Sequence, residues 1–184
     1  MAYRSGTYAA FHAAGTSDPT ASDIKYYNLL RAWRERDDYE FRFINSHEKA
    51  EVRDSSSRET LRRRLAERLR NSRNMVLILG ETTRFDTDWV PYEISYAIDG
   101  CAIPIIAAYP GYRAILNPAS HRTKWPRALA DRIDDGTAYV IHVPFKREPL
   151  NAAIAQFDHD NLPTDGLTYY LRETYRNKFG IDPD

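Results

Sequence analysis

The stretch Met75-Val-Leu-Ile-Leu-Gly-Glu-Thr-Thr-Arg-Phe-Asp-Thr-Asp-Trp-Val-Pro-Tyr-Glu-Ile-Ser-Tyr-Ala-Ile98 decides the fold. It opens with a continuous apolar run ended by Gly80, the pattern of a parallel strand buried on both faces. Asp88 then stands where a helix N-cap belongs. Pro91 falls in the first turn, whose N–H groups have no intrahelical partner in any case. Val90, Ile94, Ala97 and Ile98 give this helix an apolar stripe that runs to about Asp99, and Gly100 stops it. A buried strand followed by an amphipathic helix is one unit of an alternating α/β architecture.

The alternation continues in both directions. Upstream, Thr7 to His12 reads as a first strand, and Ser22 or Asp23 caps a helix running to about Arg36. Tyr39 to Asn45 alternates apolar and polar residues over its first five positions, which fits a strand near a sheet edge. After a polar loop from Ser46 through Ser57, a second helix over Arg58 to Ser72 carries Leu61, Leu65 and Leu69 every four residues. Downstream, Ala102 to Ala108 is a fourth strand, weakened at its start by Pro104. An excursion from Tyr109 to Lys124 leads to a helix near Pro126 to Ile133 and a fifth strand over Thr137 to His142. Helices around Pro149 to Phe157 and Leu167 to Phe179 close the chain. Five strands alternating with helices predict a mainly parallel sheet covered on both faces, in the flavodoxin-like order 2-1-3-4-5. That order opens a crevice at the carboxyl ends of strands 1 and 3, just after His12, Asn45 and Gly80. One domain is expected over residues 1–145, with a C-terminal helical extension over 146–184 packed on it.

Composition closes off other classes. The 184 residues carry 26 Lys+Arg against 26 Asp+Glu, a balance that argues against a protein devoted to coating nucleic acid or anionic membrane. Cys101 stands alone, which excludes a disulfide scaffold or a cysteine zinc cage. The histidines His12, His47, His121, His142 and His159 are scattered without metal-ligand spacing, so no metal site is expected. With neither an apolar leader nor a run long enough to span a membrane, the expectation is a cytoplasmic protein. The absence of GxGxxG and GxxxxGK[ST] rules out a Rossmann or P-loop grip on a nucleotide.

Glu93 lies beside the apolar stripe of its helix, one turn after Trp89, and should point toward the crevice. Its place early in a helix is also accounted for by the macrodipole alone. Trp89-Val-Pro-Tyr-Glu93 matches the Trp-x-x-x-Glu motif of NAD-processing TIR domains, in the same position after the third strand. The wider segment from Ile78 to Ile94 resembles the TIR-like subunit of the Thoeris antiphage system, and the Phe11-His12 pair fits the same group. The resemblance spans roughly residues 5 to 145. It implies cleavage of the nicotinamide–ribose bond of NAD, with NAD as substrate and no cofactor. Glu93 would be the catalytic carboxylate that holds the ribose and stabilises an oxocarbenium-like state. The product would be ADP-ribose or a cyclic ADP-ribose-type signal. The implied partners are a nucleotide-responsive effector, a phage-derived activator and further copies of the chain.

Around Glu93, the substrate-binding candidates are Phe11, His12, Asn45, Ser46, Thr82 and Trp89. Five of them have a plainer use: Phe11 and Trp89 as core anchors, Asn45 and Ser46 as loop caps, Thr82 as a turn residue. Ala9 and Ala10 replace bulkier or hydroxylated residues common in the first strand, and the loop from Gly15 to Thr20 offers no basic residue for phosphate. Arg84 or a neighbouring subunit is left to supply one. The rival readings are a non-catalytic assembly module of the same fold and nucleic-acid binding through Arg58, Arg62, Arg63, Arg64, Arg68, Arg70 and Arg73. At zero net charge those arginines read better as a solvated face or an assembly surface.

Overall fold

Strand β1 (Gly6–Ala10) is buried along its whole length, and its alternation sorts the protein into two apolar layers. A computed structural model describes residues 4–13, 22–37, 43–45 and 55–183. Tyr8 and Ala10 face one side, with Met75, Leu77, Ile105 and Ala107 of neighbouring strands. Ala9 faces the other, with Val76, Ile78, Ile106 and Ala108. The sheet comprises β1, β2 (Phe43–Asn45), β3 (Ser72–Ile78), β4 (Ile105–Tyr109), β5 (Val140–Pro144) and β6 (Thr168–Tyr169), all parallel. Their order is β2-β1-β3-β4-β5-β6, so the chain reverses direction across the sheet between β1 and β3, as expected from the sequence. In register, Tyr8 lies opposite Met75 and Ala10 opposite Leu77.

Helices cover both faces. Helix α2 (Ser55–Arg70), α3 (Trp89–Ser95) and α4 (Arg127–Asp134) cover the Tyr8 face through Leu61, Leu65, Leu69, Val90, Ile94 and Leu129. Helix α1 (Ile24–Asp37), α5 (Arg147–Gln156) and α6 (Arg172–Phe179) cover the other through Ile24, Tyr27, Leu150, Ile154, Tyr175 and Phe179. The helix after β3 does not stay α-helical to Gly100: residues Tyr96–Gly100 form a π turn. No helix among the described residues is long and apolar enough to cross a membrane.

Several local features differ from expectation for identifiable reasons. Strand β3 begins at Ser72 because Asn74, a turn former by composition, donates its amide to the carbonyls of Ile154 (3.0 Å) and Phe157 (2.6 Å), closing the end of α5. At α3, Asp88 holds the expected N-cap position, but its side chain makes no capping hydrogen bond. The carboxylate of Asp86 instead accepts the N–H groups of Asp88 (2.9 Å) and Trp89 (3.0 Å). The helix expected from Leu167 is a sixth strand, Thr168–Tyr169, followed by a helix starting only at Arg172. There Asp165 accepts the N–H of Leu167 (2.7 Å), and its backbone carbonyl takes the N–H of Val140 (3.0 Å). Gly180, at φ 63, ends α6 in the left-handed conformation that glycine adopts without strain.

The C-terminal segment is tied to the sheet through a buried histidine. His142 of β5 meets the Gly166 carbonyl at 2.9 Å through Nε2, which therefore carries the ring proton. Its Nδ1 accepts from the Tyr109 hydroxyl at 2.7 Å, and that hydroxyl oxygen accepts the Trp125 indole N–H at 2.7 Å. Every member of this chain has its partner. Burial pushes the His142 imidazole down to about 4, so the folded protein keeps it neutral where an exposed histidine is charged. Unfolding therefore takes up a proton between those values. The stability it contributes is complete above about pH 6.5 and is lost as pH falls toward 4. Chemical denaturation should show His142 contributing a loss of about 2 kcal/mol between roughly pH 7 and pH 5. NMR of the ring should show it neutral across that range in the folded state. A His142 ring that protonates near pH 6.5 without unfolding contradicts the assignment.

Candidate functional site

The start of α3 is fastened to α2 by charge and aromatic contacts. Asp88 pairs with Arg58 and, at 3.7 Å, with Arg62. The Arg58 guanidinium lies over the Trp89 ring and that of Arg62 over the Tyr92 ring, each 5.4 Å from the centroid. The Tyr92 hydroxyl donates to the Arg62 carbonyl at 3.0 Å. Part of the arginine stretch noted in the sequence is thus spent holding one helix on another. Arg73 likewise donates to the Ile154 carbonyl at 3.0 Å. Trp89 is partly buried against the core under Arg58, the position of an anchor.

Glu93 shares a helix face with Val90, Ile94 and Ala97, and all four are buried. Its carboxylate does not open onto the crevice, as the sequence led one to expect, but is 0% exposed. The reason is Tyr8. Projecting from β1 into the same layer, Tyr8 donates its hydroxyl to Glu93 Oε1 in a short, fully buried hydrogen bond. A carboxylate among apolar neighbours is tolerable only with such a donor. Burial first, then the Glu93 charge, raise the Tyr8 phenol well above its usual range, with the Arg68 guanidinium opposing. Tyr8 therefore stays protonated and remains a donor. It was absent from the sequence-based candidates because it reads there as an ordinary strand residue.

The other candidates gather at the carboxyl ends of β1 and β3. His12 follows β1, and its Nδ1 is buried with no hydrogen-bond partner among the described residues. Thr82 follows β3, and its hydroxyl reaches Asp23 at 3.4 Å. Thr83, fully buried, bonds Asp23 at 2.8 Å. A Cβ on Gly80 would lie 1.9 Å from Asp23 Oδ1, so only glycine admits this carboxyl. In the sequence, Asp23 is one of two candidate caps for α1, with Ser22. Phe11 sits away from Glu93, on the opposite face, where its ring stacks on Tyr27 at 5.1 Å. Asn45 ends β2; its side chain, and Ser46 and His47 after it, lie outside the described residues. The structure thus brings His12 and Thr82 to one rim, while Glu93 lies beneath the sheet's other face with Tyr8.

Among the described residues, Asp158, His159 and Asp160 form a group whose ligand atoms lie within 4.8 Å of one another. Asp158 there accepts the N–H groups of Asp160 (2.9 Å) and Asn161 (3.0 Å), which is the work of a turn.

Residues 8–115 fit the family model for the TIR-like domain of the Thoeris protein ThsB. The matched segment runs from Tyr8 through β1, α1, β3 and the whole of α3 to the loop after β4, and so contains both Glu93 and its donor.

Removing either partner of the buried pair should be costly. Glu93→Ala strands the Tyr8 hydroxyl and should destabilise the fold by roughly 1–3 kcal/mol, measured by thermal or urea unfolding. Glu93→Gln keeps an acceptor for that hydroxyl and should cost less than Glu93→Ala. Equal losses for the two variants would mean that the Tyr8 bond contributes nothing.

Proposed function

The chain belongs to the family of TIR-like domains of the Thoeris protein ThsB, an antiphage-defence family, and on that premise we propose that it cleaves the nicotinamide–ribose bond of NAD. The observation that supports this reading is the carboxylate of Glu93, kept in an apolar layer where the Tyr8 hydroxyl donates to it. An ion stabilises a developing opposite charge most strongly where water is excluded.

In the proposed reaction the bond between the ribose anomeric carbon and the nicotinamide nitrogen breaks. Its electron pair leaves with neutral nicotinamide. The ribose carbon becomes oxocarbenium-like, facing the Glu93 carboxylate, which also orients the ribose hydroxyls. Water, or an atom elsewhere in the same molecule, then forms the new bond and releases a proton. The product is ADP-ribose or a cyclic ADP-ribose-type signal, read by a separate effector protein. No second carboxylate is required, because the leaving group departs neutral. Tyr8 holds Glu93 in place and keeps its own proton. His12 and Thr82 at the rim, with Asn45 at the end of β2 and Ser46 next in sequence, are assigned to substrate binding. Phe11 and Trp89 keep the packing that frames them.

Complete burial of Glu93 favours a second reading, in which the fold is a non-catalytic assembly module and the carboxylate only joins α3 to β1. One experiment separates the two. The full chain is incubated with NAD, alone and with lysate from phage-infected cells as activator, and nucleotides are resolved by chromatography and mass spectrometry. The enzymatic reading expects nicotinamide release that falls at least about 100-fold in Glu93→Gln, the scale of removing one electrostatic stabiliser from a site. Release that survives Glu93→Gln rejects the residue. No release with or without activator favours the assembly module.

A further inference from the structure

Asp23 is a second buried carboxyl, only 4% exposed, and it stands apart from Glu93. It precedes α1 in the chain, yet its side chain turns away from that helix to the end of β3. The Thr83 hydroxyl oxygen there is met by three groups. The Gly80 N–H donates to it at 3.0 Å, the Ile78 carbonyl lies at 2.9 Å, and Asp23 Oδ2 lies at 2.8 Å. A threonine hydroxyl has one proton and two lone pairs.

Those numbers constrain where protons sit. The Gly80 N–H occupies one lone pair of Thr83. The single Thr83 proton then serves either the Ile78 carbonyl or Asp23, not both. If Asp23 is ionised, one of these close approaches is a contact between two acceptors, sealed from water. If Asp23 carries a proton on Oδ2, it donates to Thr83, Thr83 donates to Ile78, and Gly80 donates to Thr83. All four groups are then satisfied, as buried polar groups nearly always are. Thr82, at 3.4 Å, is a longer second contact to the same oxygen.

We propose that Asp23 is a neutral carboxylic acid whose proton is donated to Thr83, and that this proton latches the start of α1 to the Gly80–Thr83 turn at the rim of β1 and β3. The charged and titratable groups facing Asp23 are His12, at the end of β1, and Lys25, on α1; both favour the ionised form, as does the α1 N-terminus. Burial outweighs them and pushes the carboxyl up from its ordinary range. The folded chain thus keeps a proton that the unfolded chain releases above the usual aspartate range. The latch is complete at acid pH and is lost as pH rises through the folded value. Asp23 acts on the rim through Thr83, which makes it a positioning residue, and the inference holds whatever the site turns over.

The full chain carries the test. Aspartate carboxyl carbons are labelled and read by NMR, with the Asp23 signal identified by its loss in Asp23→Asn. That signal should titrate at a higher pH than those of the exposed aspartates of the same chain. The asparagine amide donates to Thr83 in the proton's place. Asp23→Asn should therefore melt within about 2 °C of the wild type near pH 7, with a smaller loss as pH rises, while Asp23→Ala melts at least about 4 °C lower. An Asp23 carboxyl that titrates together with the exposed aspartates overturns the proposal. So does an Asp23→Asn variant that fails to fold or melts as low as Asp23→Ala.

Discussion

A carboxylate can occupy an apolar layer only where a donor meets it, and for Glu93 that donor is the Tyr8 hydroxyl. The pair fixes more than itself. Tyr8 points into the α2–α3 layer because β1 alternates, so Ala9 must point the other way, toward the layer of α1 and α5. Slipping β1 by one residue against β3 would put alanine under Glu93 and an unpaired phenol in the opposite layer. The same bond sets the rotation of α3 about its axis, because Glu93 must face the sheet alongside Val90, Ile94 and Ala97. With that face inward, Trp89 and Tyr92 come to lie under Arg58 and Arg62 of α2. Two helices and a strand are thereby ordered around one buried hydrogen bond.

Much of this frame was legible in the sequence because its signals are local. The run from Met75 to Leu79 and the spacing of Leu61, Leu65 and Leu69 each report burial directly, and the buried residues are where those patterns put them. The site was legible in part for the same reason: Trp89 and Glu93 stand at a fixed spacing on one short helix. What escaped is long-range. Tyr8 and Glu93 are 85 positions apart, and Thr83 and Asp23 are 60 apart. No periodicity records such a pairing. A polar residue with a remote partner misled for the same cause. The Asp88 side chain reads as a cap until Arg58, 30 positions away, claims it.

The segment after residue 115 extends the sheet beyond the family match. Strands β5 and β6 lie there, and Tyr175 reaches back to accept the Ile115 N–H at 3.2 Å on its hydroxyl. Gly166 lies so close to Ala138 and Ile133 that a Cβ would come within 3.1 Å of the Ala138 carbonyl. That closeness lets the Gly166 carbonyl reach His142 and join the last third of the chain to the Tyr109–Trp125 cluster. The C-terminal segment is part of the core, so its loss would open both the edge of the sheet and the layer containing α5.

The burial that stabilises Glu93 also sets a condition on any chemistry there. A carboxylate with no exposed surface meets a substrate only in a minor, opened form, and apparent affinity scales with the population of that form. Separating the pair leaves a phenol and a carboxylate to be rehydrated or paired anew, a penalty of roughly 3 kcal/mol, which corresponds to an open fraction below about 1%. A partner or second copy that binds only the opened form shifts that equilibrium by its differential affinity and by no more. About two orders of magnitude in that affinity would make the carboxylate available in half the molecules. If the chain turns over NAD as proposed, release of this one hydrogen bond by a partner is enough to make the carboxylate available.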